Sequence, residues 1–267
     1  MAVLQGLRAL PLPVGFRAAH IIERNLIHYR RHWIIIFSGF FEPLLYLLGI
    51  GYGVGSLVPA IHVPGGQTLR YAVFVAPALM ASSAMNGAVY ETSFNFFFKL
   101  KHMKIFDAAL TTPMGVGDVA LGEIGWAVAR GSVYAIGFLV VMTALGLNAS
   151  PSAILALPAA MLLGFTFASI GTATTTFVRT WQDFDLVQLI LLPLFLFSAT
   201  FTPISLYPAP LQVVIEATPL YHGVDLIRGL TTGALGPGLV VDVAYLVVLA
   251  AIGLTIAGWR MRALLLK

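Results

Sequence analysis

The sequence predicts an all-α integral membrane protein with six transmembrane helices, and three observations predict it. Charged residues make up 10% of the chain, hydrophobic residues 59%, and the mean hydropathy is +0.91; soluble domains carry about 25% charge. Long intervals lack any charge, namely Glu42 to Arg70, Arg70 to Glu91, Arg130 to Arg179 and Asp185 to Glu216. Each can hold a helix of roughly 20 residues, enough to cross about 30 Å of hydrocarbon. The third observation is where the cations lie. Of the fifteen Lys and Arg residues, twelve fall on one side of the apolar runs: Arg8, Arg17, Arg24, Arg30, Arg31, Lys99, Lys101, Lys104, Arg179, Arg260, Arg262 and Lys267. Only Arg70 and Arg228 occupy the alternate loops, and Arg130 lies within a run. Basic short loops stay in the cytoplasm, so both termini are expected there and the number of spans is even. The residue-by-residue alternation of outer-membrane strands is missing, which makes the spans helices.

Residues 14–32 read as an amphipathic helix. Arg17, His20, Arg24, His28 and Arg31 form one narrow stripe at 100° per residue, with Val14, Ala18, Ile22, Leu26 and Tyr29 opposite. Such a helix lies in the inner membrane interface or serves as a charged topology anchor. Span one runs from about Trp33 to Tyr52 and contains Glu42-Pro43; it is too long for a signal-peptide core and is expected to be retained. A Gly- and Pro-rich outer loop, 53–70, leads to span two, about Tyr71 to Asn95, which carries Pro77 and Glu91. The segment 97–112 then reads as a short helix placing Met103, Phe106 and Leu110 together, with Lys101 and Lys104 directed elsewhere and Pro113 and Gly115 ending it. It suits a partner's groove or an interfacial position with snorkelling lysines.

Span three covers about Leu121 to Leu145 and span four about Ile154 to Val178, separated by the turn Asn148-Ala-Ser-Pro-Ser152. Arg179, Asp183 and Asp185 mark a tight inner turn before span five, which begins near Leu186 and meets Pro193. The following stretch, 203–230, holds Pro203, Pro208, Pro210 and Pro219 and no Lys or Arg before Arg228. It is too apolar for an exposed loop, so short helices dipping into the outer leaflet are expected, covered by protein. Span six, about Leu239 to Ala257, ends on the anchor Trp259-Arg-Met-Arg262.

Ionisable groups inside spans are functional candidates by default. Glu42 lies nine residues past Trp33, roughly 13 Å along the helix at 1.5 Å per residue. Arg130 follows Glu123 by seven residues on nearly the same helix face. A buried cluster of Glu42, Glu91, Glu123 and Arg130 is the expectation, either as ion pairs locking helices or as the lining of a translocation path. Enzyme motifs are lacking. There is no Gly-rich Lys-Ser/Thr phosphate loop, no His or acid spacing suited to a metal, and no cysteine. Ser169 has no histidine in a neighbouring span to act as its base; with Ala168, Gly171 and Thr172 it reads as a close helix contact. The net charge of +4 reflects orientation and anionic lipid rather than nucleic acid. A chain built this way needs an external motor, or else it is a gradient-driven carrier or channel.

Several segments resemble the membrane subunits of type-2 ABC exporters, in the branch of the nodulation lipo-oligosaccharide exporters and daunorubicin-resistance permeases. They are Glu42-Pro-Leu-Leu-Tyr-Leu-Leu-Gly-Ile-Gly-Tyr-Gly53, Met85 through Tyr90-Glu91, Leu110-Thr-Thr-Pro113, Gly117-Asp-Val-Ala-Leu-Gly-Glu-Ile-Gly-Trp126, Gly164-Phe-Thr-Phe-Ala-Ser169, Pro203-Ile-Ser-Leu-Tyr-Pro208, Pro219-Leu220 and Asp225-Leu-Ile-Arg228. The resemblance implies a bacterial inner-membrane permease working with a second permease, identical or homologous, and with two separate ATPase subunits that hold the ATP and Mg, no cofactor residing in this chain. It implies ATPase coupling through Lys101, Met103, Lys104, Phe106, Asp107 and Leu110, and an interfacial helix carrying Arg17, Arg24, His28 and Arg31. It also implies an outer gate at Pro203, Pro208, Pro219 and Arg228. The cargo it implies is amphiphilic or lipid-linked, a drug or antibiotic or a lipo-oligosaccharide. Phe197-Ser-Ala-Thr-Phe201 departs from the branch's Ser-Gly pattern by carrying Ala199.

Overall fold

The computed structural model describes residues 17–30, 41, 43–58, 60–62 and 68–266. Arg31, Glu42 and residues 33–40 of the first expected span lie outside them. The described residues are almost all helical. In chain order the helices are α1 (Ala18–Arg30), α2 (Pro43–Ser56), α3 (Tyr71–His102), α4 (Ile105–Leu110), α5 (Val116–Ala144), α6 (Pro151–Thr175), α7 (Phe184–Leu196), α8 (Ala209–Glu216), α9 (Pro219–Thr232) and α10 (Gly238–Leu265). A two-strand ribbon, β1 (Ile61–His62) against β2 (Thr68–Leu69), joins α2 to α3.

Four of these helices, α3, α5, α6 and α10, are long and apolar enough to cross a membrane. They correspond to the second, third, fourth and sixth expected spans. The fifth is shorter than expected: α7 has 13 residues, roughly 20 Å, because Pro193 in its last turn withholds a backbone donor.

Helix α3 is the centre of the molecule. It is hydrophobic around its whole circumference, which marks a buried helix, and nearly every residue from Tyr71 to Val89 is inaccessible. It packs against α5, α6 and α9, while α10 covers α6. The outward side of α10, with Val240, Val247, Val248 and Ile252, stays exposed, as a lipid-facing side should. Close approach here depends on glycine. A Cβ on Gly253 would lie 2.9 Å from the Ser169 carbonyl carbon, and the Ser169 hydroxyl bonds back to its own helix at the Phe165 carbonyl, 2.8 Å away. Ser169 is therefore a packing residue.

The proline-rich stretch 203–230 folds as short helices because its prolines begin them. Pro208 precedes α8 and Pro219 is the first residue of α9, positions where the missing N–H has no intrahelical partner anyway. Pro203 opens a single helical turn, Ile204–Leu206. Thr218 caps α9 by accepting the Tyr221 N–H, and Gly233 (φ +80°) ends it.

Candidate functional site

The chain does not form one helix over 97–112. Helix α3 continues to His102, the backbone then turns at Lys104 in the left-handed region (φ +48°), and α4 starts afresh at Ile105. The break separates residues that a continuous helix would align. Lys101, Met103, Lys104 and Asp107 are exposed, with Met103 56% accessible, whereas Phe106 is fully buried. Its ring packs on Phe96 with centroids 5.2 Å apart, in a small core shared with Ile21, Val116, Val119 and Met261. Leu110 is half-buried at the edge of the same core. An apolar ring takes the buried side, and Phe106 is thus a foundation beneath the tip rather than part of its outer face.

The interfacial helix also packs differently from its expected stripe. Helix α1 buries Ala18, Ile21, Asn25 and Tyr29 and leaves Leu26 and Ile27 exposed. Gly122 of α5 makes this contact close, since a Cβ there would stand 2.7 Å from that of Ile21. Arg17 donates to the Pro113 carbonyl, tying α1 to the turn after α4, while His28 is exposed. Arg24 leaves the surface stripe and reaches inward.

What α1 brings inward is a charge network. The Glu91 carboxylate accepts from Lys99 Nζ (3.0 Å) on one oxygen. On the other it accepts from Arg130 Nη1 (2.8 Å), the Tyr29 hydroxyl (2.9 Å) and Asn95 Nδ2 (2.8 Å). Glu123 accepts from Arg24 Nη2 (2.7 Å) on one oxygen, and from Lys99 Nζ (2.6 Å) and Asn25 Nδ2 (3.4 Å) on the other. Lys99 bridges the two acids. Both carboxylates are 1% accessible, and all four of their oxygens are engaged. Buried charge is tolerated only when paired and hydrogen-bonded in this way.

Local backbone geometry builds the network. Glu91–Asn95 and Phe98–His102 are π-helical. The wider turn keeps Glu91, Asn95 and Lys99 on one face of α3, and such π segments recur at functional sites. The Thr175 hydroxyl of α6 donates to the Thr92 carbonyl at 2.8 Å, satisfying an acceptor within the irregular stretch. Arg130 is fixed from its own helix by Tyr134, whose hydroxyl accepts Nε–H at 2.9 Å. The structure therefore joins three of the expected cluster, Glu91, Glu123 and Arg130, and adds Arg24, Asn25, Tyr29, Asn95 and Lys99. Lys99 sits eight residues past Glu91, a separation that returns to the same helix face; that spacing was the signal for it.

At the opposite end, Arg228 anchors α9. Its Nε donates to the Phe74 carbonyl (3.1 Å) and its Nη2 to the Ala199 carbonyl (2.7 Å), with the guanidinium 3.9 Å from the centroid of the Phe74 ring. Ala199 stands at φ +54°, where glycine has no steric penalty. The departure at Ala199 thus falls where the branch's glycine suits the backbone. Pro203 lines the adjacent cavity, Pro208 is exposed, and neither contributes a charge.

Comparison with known proteins places this geometry in context. The model of the ABC-2 type transporter family matches residues 18–231. The chain is 33% identical over 213 residues to a nodulation protein J of Rhizobium leguminosarum bv. trifolii, covering 79% of each. It is 30% identical over 222 residues to that of Rhizobium meliloti, covering 82% of this chain and 83% of the relative, and 29% identical over 230 residues to that of Sinorhizobium fredii.

Proposed function

Because the chain belongs to the ABC-2 type transporter family, we propose that it is the permease subunit of an ATP-driven exporter, crossing the bacterial inner membrane six times with both termini in the cytoplasm. Two such subunits, identical or homologous, form the pathway, and two separate ATPase subunits hold the ATP and Mg. The cargo is amphiphilic or lipid-linked, in keeping with relatives named for nodulation.

One observation carries the mechanical part of the reading. The exposed tip residues Lys101, Met103, Lys104 and Asp107 stand at the end of α3, and α3 is bound through Glu91 and Lys99 to α1 and α5. A push on the tip is transmitted to three helices at once, since the saturated network leaves no slack between them. The ions lock the helices; a carboxylate whose oxygens all accept protein donors is poorly placed to bind a passing ion. Cargo passes instead along the side formed by α2, α3 and α7. There Ser82, Asn86, Tyr90 and Gln188 share a cavity of about 100 Å³ with Leu79, Leu191 and Phe195, a mixed and uncharged lining that suits an amphiphile.

The chain contains no cysteine, so a single introduced thiol reports unambiguously. Met103→Cys in native membranes should cross-link to a polypeptide that photo-labels with an azido-ATP analogue, and Phe106→Cys should not. Transport by the purified chain in vesicles without any nucleotide-hydrolysing subunit would identify a gradient-driven carrier and end the proposal.

A further inference from the structure

A second polar site lies at the outer end, apart from the ion network. Asp225 and Arg228, three residues apart on α9, both line a cavity of about 370 Å³. Opposite charges at this spacing ordinarily pair, but no N–O distance between them is within 4.0 Å. Arg228 spends Nε and Nη2 on two backbone carbonyls, and no protein partner takes Nη1 among the described residues. The Asp225 carboxylate accepts no hydrogen bond there. The other acid nearby, Asp242, is occupied on one oxygen by His222 at 2.7 Å. A separated cation and anion in a partly buried cavity call for a ligand bearing both charges.

The far side of α9 supplies the rest. Leu226 and Leu230 of α9, Leu162 of α6 and Val243 of α10 line an aliphatic groove of about 450 Å³. Leu239 borders both the groove and the polar cavity, so the two adjoin across its side chain and one amphiphile can reach both. A soluble zwitterion would leave the groove empty. A purely anionic headgroup would satisfy Arg228 while bringing negative charge towards Asp225 and Asp242. A neutral sugar headgroup would leave both charges uncompensated.

We propose that this surface binds a zwitterionic phospholipid of the outer leaflet, its phosphate on Arg228, its ammonium on Asp225 and one acyl chain in the α6–α9–α10 groove. Its assignment to the outer leaflet rests on the topology proposed above, whereas binding itself needs neither nucleotide nor a second subunit. Its place beside α9 puts the lipid where movement of the short outer helices would sense it.

The test is lipid retention by the purified full-length chain, followed by native mass spectrometry after addition of phosphatidylethanolamine or phosphatidylglycerol with the same acyl chains. The wild type should retain phosphatidylethanolamine about tenfold better, the value of one charge-assisted hydrogen bond. Asp225→Asn is isosteric and breaks no protein hydrogen bond; it should erase that preference. Val243→Trp fills the groove from the lipid side and should weaken both lipids several-fold without changing their ratio. Equal retention of the two lipids by the wild type, an unchanged preference in Asp225→Asn, or full retention in Val243→Trp would each overturn the assignment.

Discussion

Glu91→Gln is the substitution that probes the ion network most directly. The side chain keeps its shape, so any effect comes from charge. Glu91 receives four donors, two of them cationic, and after substitution Arg130 is left buried with neutral partners only, the amide and the two tyrosine hydroxyls. Lys99 retains Glu123, so one stranded cation is the main consequence. Removing one member of a buried pair costs about 3–5 kcal/mol, which at about 2–4 °C per kcal/mol lowers the melting temperature by roughly 10 °C. Glu123→Gln should cost less, since its partner Arg24 is 37% exposed and can return to water. The double variant Glu91→Gln/Arg130→Gln should be more stable than the sum of its singles by at least about 1 kcal/mol. Thermal melting of the purified protein measures all of these. Intrinsic fluorescence is a suitable signal because the Trp126 ring lies 5.2 Å from that of Tyr29, inside the affected region. Additive singles, or equal losses for Glu91→Gln and Glu123→Gln, would show that the contacts are not energetically linked and would refute the lock.

Three further outcomes are expected. Phe106→Ala should destabilise the protein by about 3–5 kcal/mol, while Met103→Ala should stay within about 0.5 kcal/mol; similar melting temperatures would contradict the buried and exposed assignments. Ala199→Gly relieves a left-handed conformation costing about 1–2 kcal/mol against a glycine entropy term of about 0.5–1 kcal/mol, so the melting temperature should rise. A fall would mean the backbone there is unstrained. In the turn between α6 and α7, Asp183 accepts the N–H groups of Arg179 and Thr180, and these bonds hold its carboxyl below the usual carboxylate range. A lowered native value means that the stabilisation is present above the unfolded pKa, about 3.9, and disappears as pH falls through the native value. Asp183→Asn should therefore lower stability at pH 6 and make little difference at pH 2, as followed by thermal melting across that range.

The elements that resisted sequence reading share one cause. A stripe on a helical wheel assumes that one face meets one environment, but α1 packs on α5 along one side and leaves Leu26 and Ile27 exposed on the other. Its inward face is consequently Ala18, Ile21, Asn25 and Tyr29, with two polar groups that only the network on α3 and α5 can satisfy. The 97–112 segment reads as one helix because no Gly or Pro interrupts it before Pro113. The left-handed turn at Lys104 accompanies the burial of Phe106 among Ile21, Val116 and Met261, distant residues that leave no local signature. Lys99 reads as an orientation charge although it is a half-buried bridge between two acids, since charge counting does not distinguish a lysine in solvent from one folded back onto its own helix.

By itself the sequence determined the solvent of this protein and the order of its parts. Charge scarcity, charge-free runs and proline positions act locally, through the desolvation of polar groups and the limits of the backbone, and they located α3, α5, α6, α10 and the short outer helices. Only the tertiary structure decided which acid meets which base, which ring lies under the exposed tip, and that Asp225 and Arg228 share a cavity without pairing. Those outcomes depend on distances between residues far apart in the chain, such as Tyr29 and Arg130 or Phe74 and Arg228, and those distances are set by helix packing.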